Sequence, residues 1–516
     1  MIPTKNLSRD TVIAIAAISG ILIILGVGLR LIIPARSTIS GFVVSHHDLV
    51  KGQRDRLYAE VAGRINRPKT IVLLSPNHYD AGRGEIQTST QTWQVTSGTI
   101  EPNLTAIKAL IGNGVTEEPG SFISEHGIHL QLADIQQYFP GSKIVPLIFK
   151  SHISYQRTQE IEQDLKNVCS DCLMIASVDF SHYQPAILAN LHDNLTERYL
   201  DQLDSENLMN KSEVNCPSCL SILSQWAKDH GTSDFHIKDH TNSGILVSDL
   251  DGETTTHFFG WYQAGKKVTP PKSVSFIFGG KTQIESTSLP PAKSSPENLF
   301  ALLGERTFWG TDSAFLQFGN SAITNYSDLL SYLKIPESIF NFEQATDSIT
   351  EMSGNGLNLE VISVQSEASP PDLSDSIRRL KANPTHRVVV LETGKNLFTV
   401  EEQSLIAHTW IDAGADMVIE SQTNPDESGE VYKGRPIIYS LGDFLDTAKA
   451  GESTGQLLAG EFTEDKVKLF FLPVTTAKSQ PVFLRGAAKQ KALDSLYQPL
   501  QGFEHSTPYG SSLSFP

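Results

Sequence analysis

Three apolar runs in the first 182 residues each end in a histidine or an aspartate. Leu173 to Val178 leads into Asp179 and, three residues on, His182. Phe42 to Val44 leads into Ser45, His46 and His47, and Thr70 to Leu74 leads into Ser75, Pro76, Asn77 and His78. Short unbroken apolar runs fit strands buried on both faces. Stretches of helical character separate them, over residues 48–65, 103–112, 128–138, 155–167, 185–203 and 219–230, with further strands expected over 143–149 and 244–248. Strands alternating with helices predict an α/β fold with a largely parallel sheet. Such sheets keep their ligands at the carboxyl ends of the strands. Three ends that deliver imidazole and carboxylate therefore predict one convergent polar pocket.

The chain has 516 residues, of which 39% are hydrophobic and 19% charged, enough for two or three domains. Residues 38–268 form the first expected domain, and residues 269–273, with Pro270 and Pro271, the linker. A second α/β pattern occupies 274–475, with strands over 274–278, 388–391, 417–419, 436–439 and 466–472 and a helix over 400–413. Residues 286–298 and 354–375 read as loops, and 476–516 as a peripheral extension. The net charge of −17 disfavours nucleic acid and anionic membrane surfaces as partners of the soluble part.

Residues 1–10 are a polar tail, and 11–34 are apolar over a length that predicts a transmembrane helix. The small-residue cleavage site of a signal peptide is poorly matched by Pro34-Ala35-Arg36-Ser37, so an uncleaved signal anchor is the expectation. Lys5 and Arg9 balance Arg30 and Arg36 across the span. A short tail held in the cytoplasm would make this a single-pass membrane protein with residues 37–516 outside.

The residue types that hold metals converge on the first domain. His46, His47, His78, Asp179, His182 and Cys216 are candidates, with Glu125 and His126 forming a further cluster before a helix. Taken singly, each histidine is more often a surface or satisfied core residue; their joint placement at strand ends is what raises them. The four cysteines form two CxxC pairs, Cys169/Cys172 and Cys216/Cys219. Three readings stay open for them: a zinc site, one or two disulfides in an exported protein, and Cys216 as a ligand of a catalytic metal.

In order along the chain stand Ser45-His46-His47-Asp48, Ser75-Pro76-Asn77-His78, Trp93-Gln94-Val95-Thr96-Ser97-Gly98, Glu125-His126, Pro140 to Pro146, and Asp179-Phe180-Ser181-His182. This set resembles the Memo-like family, known in prokaryotes as AmmeMemoRadiSam system protein B. The resemblance implies a LigB-like fold related to class III extradiol dioxygenases, with a divalent metal at the strand ends, iron first and copper or zinc after it. It implies His46, His78 and Cys216 as metal ligands and Asp179, His182, Glu125 and His126 as catalytic groups. Pro217 stands where the family has glycine, and His129 where a carboxylate is expected.

Residues 406–419 and 430–444, with Asn341-Phe342-Glu343, resemble the CapA-type family of poly-γ-glutamate synthesis, which implies a calcineurin-like metallophosphoesterase fold. The ligands are missing. Gly279-Gly280 replaces Gly-Asp, Glu392-Thr393-Gly394 replaces His-Trp-Gly, and Gln422-Thr423-Asn424 replaces His-Pro-His. A dinuclear centre needs several carboxylate and imidazole ligands, so this domain is expected to be an inactive scaffold. The leading expectation is a bacterial metal-dependent, oxidative enzyme acting on a small-molecule or cell-envelope ligand. The alternatives are a non-catalytic scaffold with two vestigial domains and a hydrolase of envelope polymer.

Overall fold

The computed structural model describes residues 38–284, 310–321, 340–343, 348–365, 372–393, 398–420, 429–446, 454–477, 480–497, 500 and 504–516. The first half is built on one mixed sheet. Its strands are β1 (Ile39–Val44), β2 (Thr70–Pro76), β3 (Ile86–Thr88), β4 (Thr116–Glu117), β5 (Lys143–Phe149), β6 (Leu173–Ser177), β7 (His182–Gln184), β8 (Asp234–Asn242) and β9 (Thr254–Gln263). They lie in the order β8-β9-β1-β6-β2-β5-β3-β4, with β7 paired to β9. The central four, β1, β6, β2 and β5, are mutually parallel, with Val44 beside Ser177, Ile71 beside Leu173 and Thr70 beside Lys143.

Alternation along these strands explains the layers. Phe42, Val44, Ile71, Leu73 and Ile175 face one side and pack with Leu57, Tyr58 and Val61 of α1 (Lys51–Arg64) and Ile128, Leu132 and Ile135 of α2 (His126–Tyr138). Val43, Val72, Leu74, Met174 and Ala176 face the other side and meet Ile161 and Leu165 of α3 (Tyr155–Val168) and Leu220, Leu223 and Trp226 of a helix over Pro217–Asp229. Both faces are apolar because both are covered, as the unbroken runs in the sequence require.

The run 244–248 is a short helix, Ser243–Val247, and not a strand. The Asn242 side chain accepts a hydrogen bond from the Ile245 N–H and starts a helical turn. Periodicity alone does not separate a short apolar strand from a buried helical turn. The long antiparallel pair β8 and β9 on either side of it was not expected from the sequence.

The second half stacks two sheets. In one, the strand Ser273–Ile284 pairs with Thr454–Thr463, which pairs with Val467–Ala477. The tail expected to be peripheral adds a strand here, Gly510–Phe515, beside Val467–Leu469. In the other sheet, Asn358–Gln365, His386–Thr393, Met417–Ile419 and Arg435–Ile438 run parallel. Phe276, Leu458 and Leu469 of the first sheet share a core with Val361, Val389 and Ile419 of the second, and the helix Val400–Ala413 covers the outer face through Ala407 and Trp410.

The halves meet along α4 (Ala186–Gln202), which carries a buried ion pair across the junction. Arg198 Nη2 and Nη1 donate to Asp312 at 2.6 and 3.3 Å, and the Ser275 N–H donates to the same carboxylate at 2.9 Å.

The expected transmembrane helix and single-pass membrane location are corrected. Among the described residues no helix is long and apolar enough to cross a membrane. The first half's longest, α4, has 17 residues and carries Asp193, Glu197 and Arg198, where a span needs about 20 apolar residues. Residues 11–34 lie outside the described residues, as do Gln422, Asn424 and the loop 286–298.

Candidate metal centre

Because β1, β6 and β2 are neighbours and parallel, the residues after them meet at one edge. His46 follows β1, Asp179 follows β6 and His78 follows β2. His126 enters from the start of α2, whose cap is Glu125; the Glu125 carboxylate accepts the Gly127 N–H at 3.0 Å. One ring nitrogen from each of His46, His78 and His126 lies within 4.8 Å of the others. The His78 and His126 rings stack with centroids 3.9 Å apart, and His46 stands edge-on to both. Gly127 permits this approach, since a Cβ there would lie 2.1 Å from Ser75 Oγ.

The hydrogen bonds around the rings assign their tautomers. Ser177 Oγ donates to the Gly127 carbonyl at 2.6 Å and accepts from Gln131 Nε2 at 3.1 Å. Only a lone pair is left for His46 Nδ1, 3.2 Å away, so that nitrogen carries the hydrogen and Nε2 carries the lone pair. His78 Nδ1 donates to Glu125 at 2.6 Å, which leaves its Nε2 free in the same way. Asn215 Oδ1 accepts the Asp179 N–H at 3.1 Å, so Asn215 Nδ2 is turned toward the rings, 3.3 Å from Nε2 of both His46 and His78. Asn215 Nδ2 thus donates to both lone pairs, and the two ring nitrogens face one place.

Electrostatics agree with these assignments. Burial pushes the His46 imidazole down to about 4, against the pull of Asp179 and with help from His78 and His126, so it is neutral at pH 7. His126 is lowered by burial and then by His78. Burial works to raise the Asp179 carboxyl, but His46, His257 and His182 outweigh it and hold the group below the usual carboxylate range. Burial also opposes ionisation of Glu125, and the bonds from His78 prevail. An unprotonated His46 Nε2 thus lies 3.2 Å from an ionised Asp179 oxygen. Two lone-pair atoms this close, beside the rings of His78 and His126, fit a cation. His46, His78 and His126 would hold it, with Asp179 as the adjacent anion; when bound, the metal would polarise a ligand oxygen as a Lewis acid.

Cys216, expected as a ligand, is corrected. It forms a disulfide with Cys219, and Cys169 forms one with Cys172. The CxxC spacing closes each pair locally, and Cys216 sits in the apolar core with Val214 and Phe258, so no thiolate is offered to the rings. His126, expected to act as a catalytic group, lies with His46 and His78 in the group that could hold a metal. His182 is not among the three: its backbone N–H donates to buried Glu213 at 3.0 Å, and its ring acts on Asp179 through charge. His47 Nδ1 caps a short turn by accepting the Leu49 N–H, and His129 Nε2 bonds the Phe122 carbonyl, so neither joins the centre.

Four residues that support the centre were missed in the sequence. Ser45 donates to Asp179, His257 Nδ1 stands 3.2 Å from the same carboxylate, and Asn215 and Gln131 orient the rings. His257 had one available signal, a histidine inside the apolar run Phe258-Phe259-Gly260-Trp261; the others had none. A second cluster, Glu351, Glu360 and His386, lies on the second half's sheet. There Asn383 Nδ2 faces His386 Nε2 at 2.8 Å, while His386 Nδ1 and Glu360 Oε1, 2.9 Å apart, are buried without a hydrogen bond.

Comparison with known proteins supports the two-part reading. The family model described as Memo-like protein matches residues 30–252, and that described as bacterial capsule synthesis protein PGA_cap matches 322–448. A MEMO1 family protein of Caldivirga maquilingensis is 29% identical over 199 residues, which is 36% of this chain and 70% of that protein. MEMO1 family proteins of Aquifex aeolicus and Methanosarcina barkeri are each 28% identical, covering 37% and 38% of this chain and 74% and 77% of their own lengths. Among solved structures, an uncharacterized protein of Escherichia coli K12 aligns over 42% of this chain and 99% of its own with 14% identity and a TM-score of 0.31, too low for a shared fold to follow. The N-terminal half of the chain is thus similar to Memo-like proteins, and the segment behind it to bacterial capsule synthesis proteins of the PGA_cap type.

Proposed function

We propose that the N-terminal half binds a single divalent metal ion through His46, His78 and His126 and is a metal-dependent enzyme. The observation that carries this is the convergence of one ring nitrogen from each of the three histidines, all within 4.8 Å of one another, beside buried Asp179. With both cysteines of the nearby pair oxidised, the donors are nitrogen and oxygen only, a set that suits iron, and after it zinc or copper. In this reading Glu125 keeps His78 in the ligating tautomer, as an outer carboxylate does at many metal sites. Asp179 is the candidate base: it is ionised, adjoins His46, and is oriented by Ser45 and His257. An oxidative reaction on a small organic ligand accords with an iron centre that keeps positions open, and the fold's known relatives make that an analogy only.

The test is metal content of the full chain, purified without added metal or chelator, beside a His46→Ala/His78→Ala double variant. Near-stoichiometric iron, zinc or copper in the wild type and at least a tenfold loss in the variant is the expected result. No metal in either protein, even after reconstitution, would leave a non-catalytic binding protein as the better reading.

A further inference from the structure

Asn215 is held against the centre from two sides. It lies between buried Val214 and buried Cys216, in the segment that enters the helix Pro217–Asp229. Two hydrogen bonds join it to a single residue. Its backbone N–H donates to the Asp179 carbonyl at 3.1 Å, and its Oδ1 accepts the Asp179 N–H at 3.1 Å. Cys216, next in the chain, caps the helix and is bonded to Cys219 within its first turn. Backbone and amide plane are therefore fixed together. Exchanging Oδ1 and Nδ2 would set one N–H donor against another at Asp179.

The consequence falls on the rings. Asn215 Nδ2 stands 3.3 Å from Nε2 of His46 and 3.3 Å from Nε2 of His78. A carboxamide nitrogen carries two hydrogens, and each of these ring nitrogens carries one lone pair. One hydrogen serves each ring. His46 is 1% exposed, and its Nε2 also lies 3.2 Å from an Asp179 carboxylate oxygen, which is a second acceptor. A buried acceptor without a donor is costly. Asn215 supplies that donor.

The same lone pairs cannot serve a cation at the same time. A metal ion held by His46 and His78 takes the electrons that now accept from Asn215. The amide nitrogen offers a cation nothing in return, because it is a donor only. The amide oxygen, which could ligate, is committed to the Asp179 N–H. Asn215 and a metal ion are thus competitors for one pair of imidazoles.

Resting on the metal reading above, we infer that Asn215 is a placeholder in the centre. Its amide satisfies and orients the His46 and His78 nitrogens while the centre is empty, and it gives up both bonds when the centre is filled. It is a positioning residue that limits metal affinity, and it is not a ligand.

The probe is zinc, titrated into the metal-free full chain against a chromophoric chelator of known affinity. Asn215→Ala should bind zinc more tightly than the wild type by about fivefold to a hundredfold, the worth of two hydrogen bonds between neutral groups. Asn215→Asp keeps an oxygen for the Asp179 N–H and sets a second one where Nδ2 stood, so it should bind more tightly than Asn215→Ala. Nitrogen-15 spectra of the imidazoles read the placeholder without any metal. In the metal-free wild type the Nε2 resonances of His46 and His78 should be those of hydrogen-bond acceptors, and both should shift in Asn215→Ala. Zinc bound by the wild type and bound no more tightly by Asn215→Ala overturns the inference and leaves the metal reading standing. Zinc bound by the variants and not by the wild type supports it. Zinc bound by none of the three proteins removes the metal reading, and the placeholder with it.

Discussion

Both halves place polar side chains at the carboxyl ends of parallel strands, and they do so to opposite effect. In the first half the ends carry imidazoles kept neutral, with one anion among them. In the second half the neighbouring strands His386–Thr393 and Met417–Ile419 end at Glu392 and Glu420, both buried. Burial, then Glu392 and Glu430, push the Glu420 carboxyl up to about 9, so it keeps its proton at pH 7. Glu430 is the ionised member, accepting hydrogen bonds from Ser404, His408 and Tyr439 at 2.9, 2.6 and 2.7 Å. One edge presents three imidazole nitrogens that could hold a cation; the other keeps a proton on its buried Glu420. The same position in a sheet thus supports a metal centre or a closed polar cluster, depending on which donors the strands deliver.

The contrast is most strongly broken at the junction. Arg198 and Asp312 are a buried, two-pronged ion pair between the halves, and removing one partner leaves a buried charge alone. Arg198→Ala should cost about 3–5 kcal/mol and should resolve thermal unfolding into two transitions. A single unchanged transition would show that the halves are held together elsewhere.

The halves should also respond to pH in opposite directions. His46 is lowered from 6.5 to about 4 in the fold, so between those values the unfolded chain takes up a proton that the folded one refuses. First-half stability, measured without metal, should therefore fall as pH falls through that window. Glu420 is raised from 4.5 to about 9, so over that range the unfolded chain has lost a proton that the folded chain keeps. Second-half stability should therefore fall as pH rises, by an amount on the order of a few kcal/mol. Hydrogen exchange read peptide by peptide separates the two responses. Glu420→Gln, which mimics the protonated acid, should flatten the alkaline decline and leave the acid response of the first half in place. A Glu420→Gln profile parallel to the wild type would remove this residue from the account.

The smallest expected effect sharpens the comparison at the surface of the junction. Lys489 pairs with Asp251 where both remain partly exposed. Lys489→Ala should cost about 0.2–1 kcal/mol in urea unfolding. A loss as large as that of Arg198→Ala would mean that the outer contact, and not the buried pair, carries the coupling.

Much of the centre was legible in the chain because its residues stand directly after apolar runs. His46, His78 and Asp179 could be placed at strand ends from local pattern alone, and Glu125-His126 at a helix start. Cys216 shows where that reasoning stopped. The same thiol suited a metal ligand or a local disulfide, and only its position in the core beside Cys219 chose. The apolar run 11–34 looked like a membrane span by length, but the structure lends that reading no support among the described residues.

Local pattern in the chain settled the α/β character of the first half and the strand ends that bear its polar residues. These follow from periodicity and residue type, which are local properties. Tertiary structure alone decided that His126 and not Cys216 completes the imidazole trio. It also decided that Asn215, Ser177 and Glu125 set the ring tautomers. The physical reason is distance along the chain: Asn215 meets His46 across 169 positions, and Ser177 meets it across 131. No local pattern encodes a partner that far away; the order of strands in the sheet brings it there.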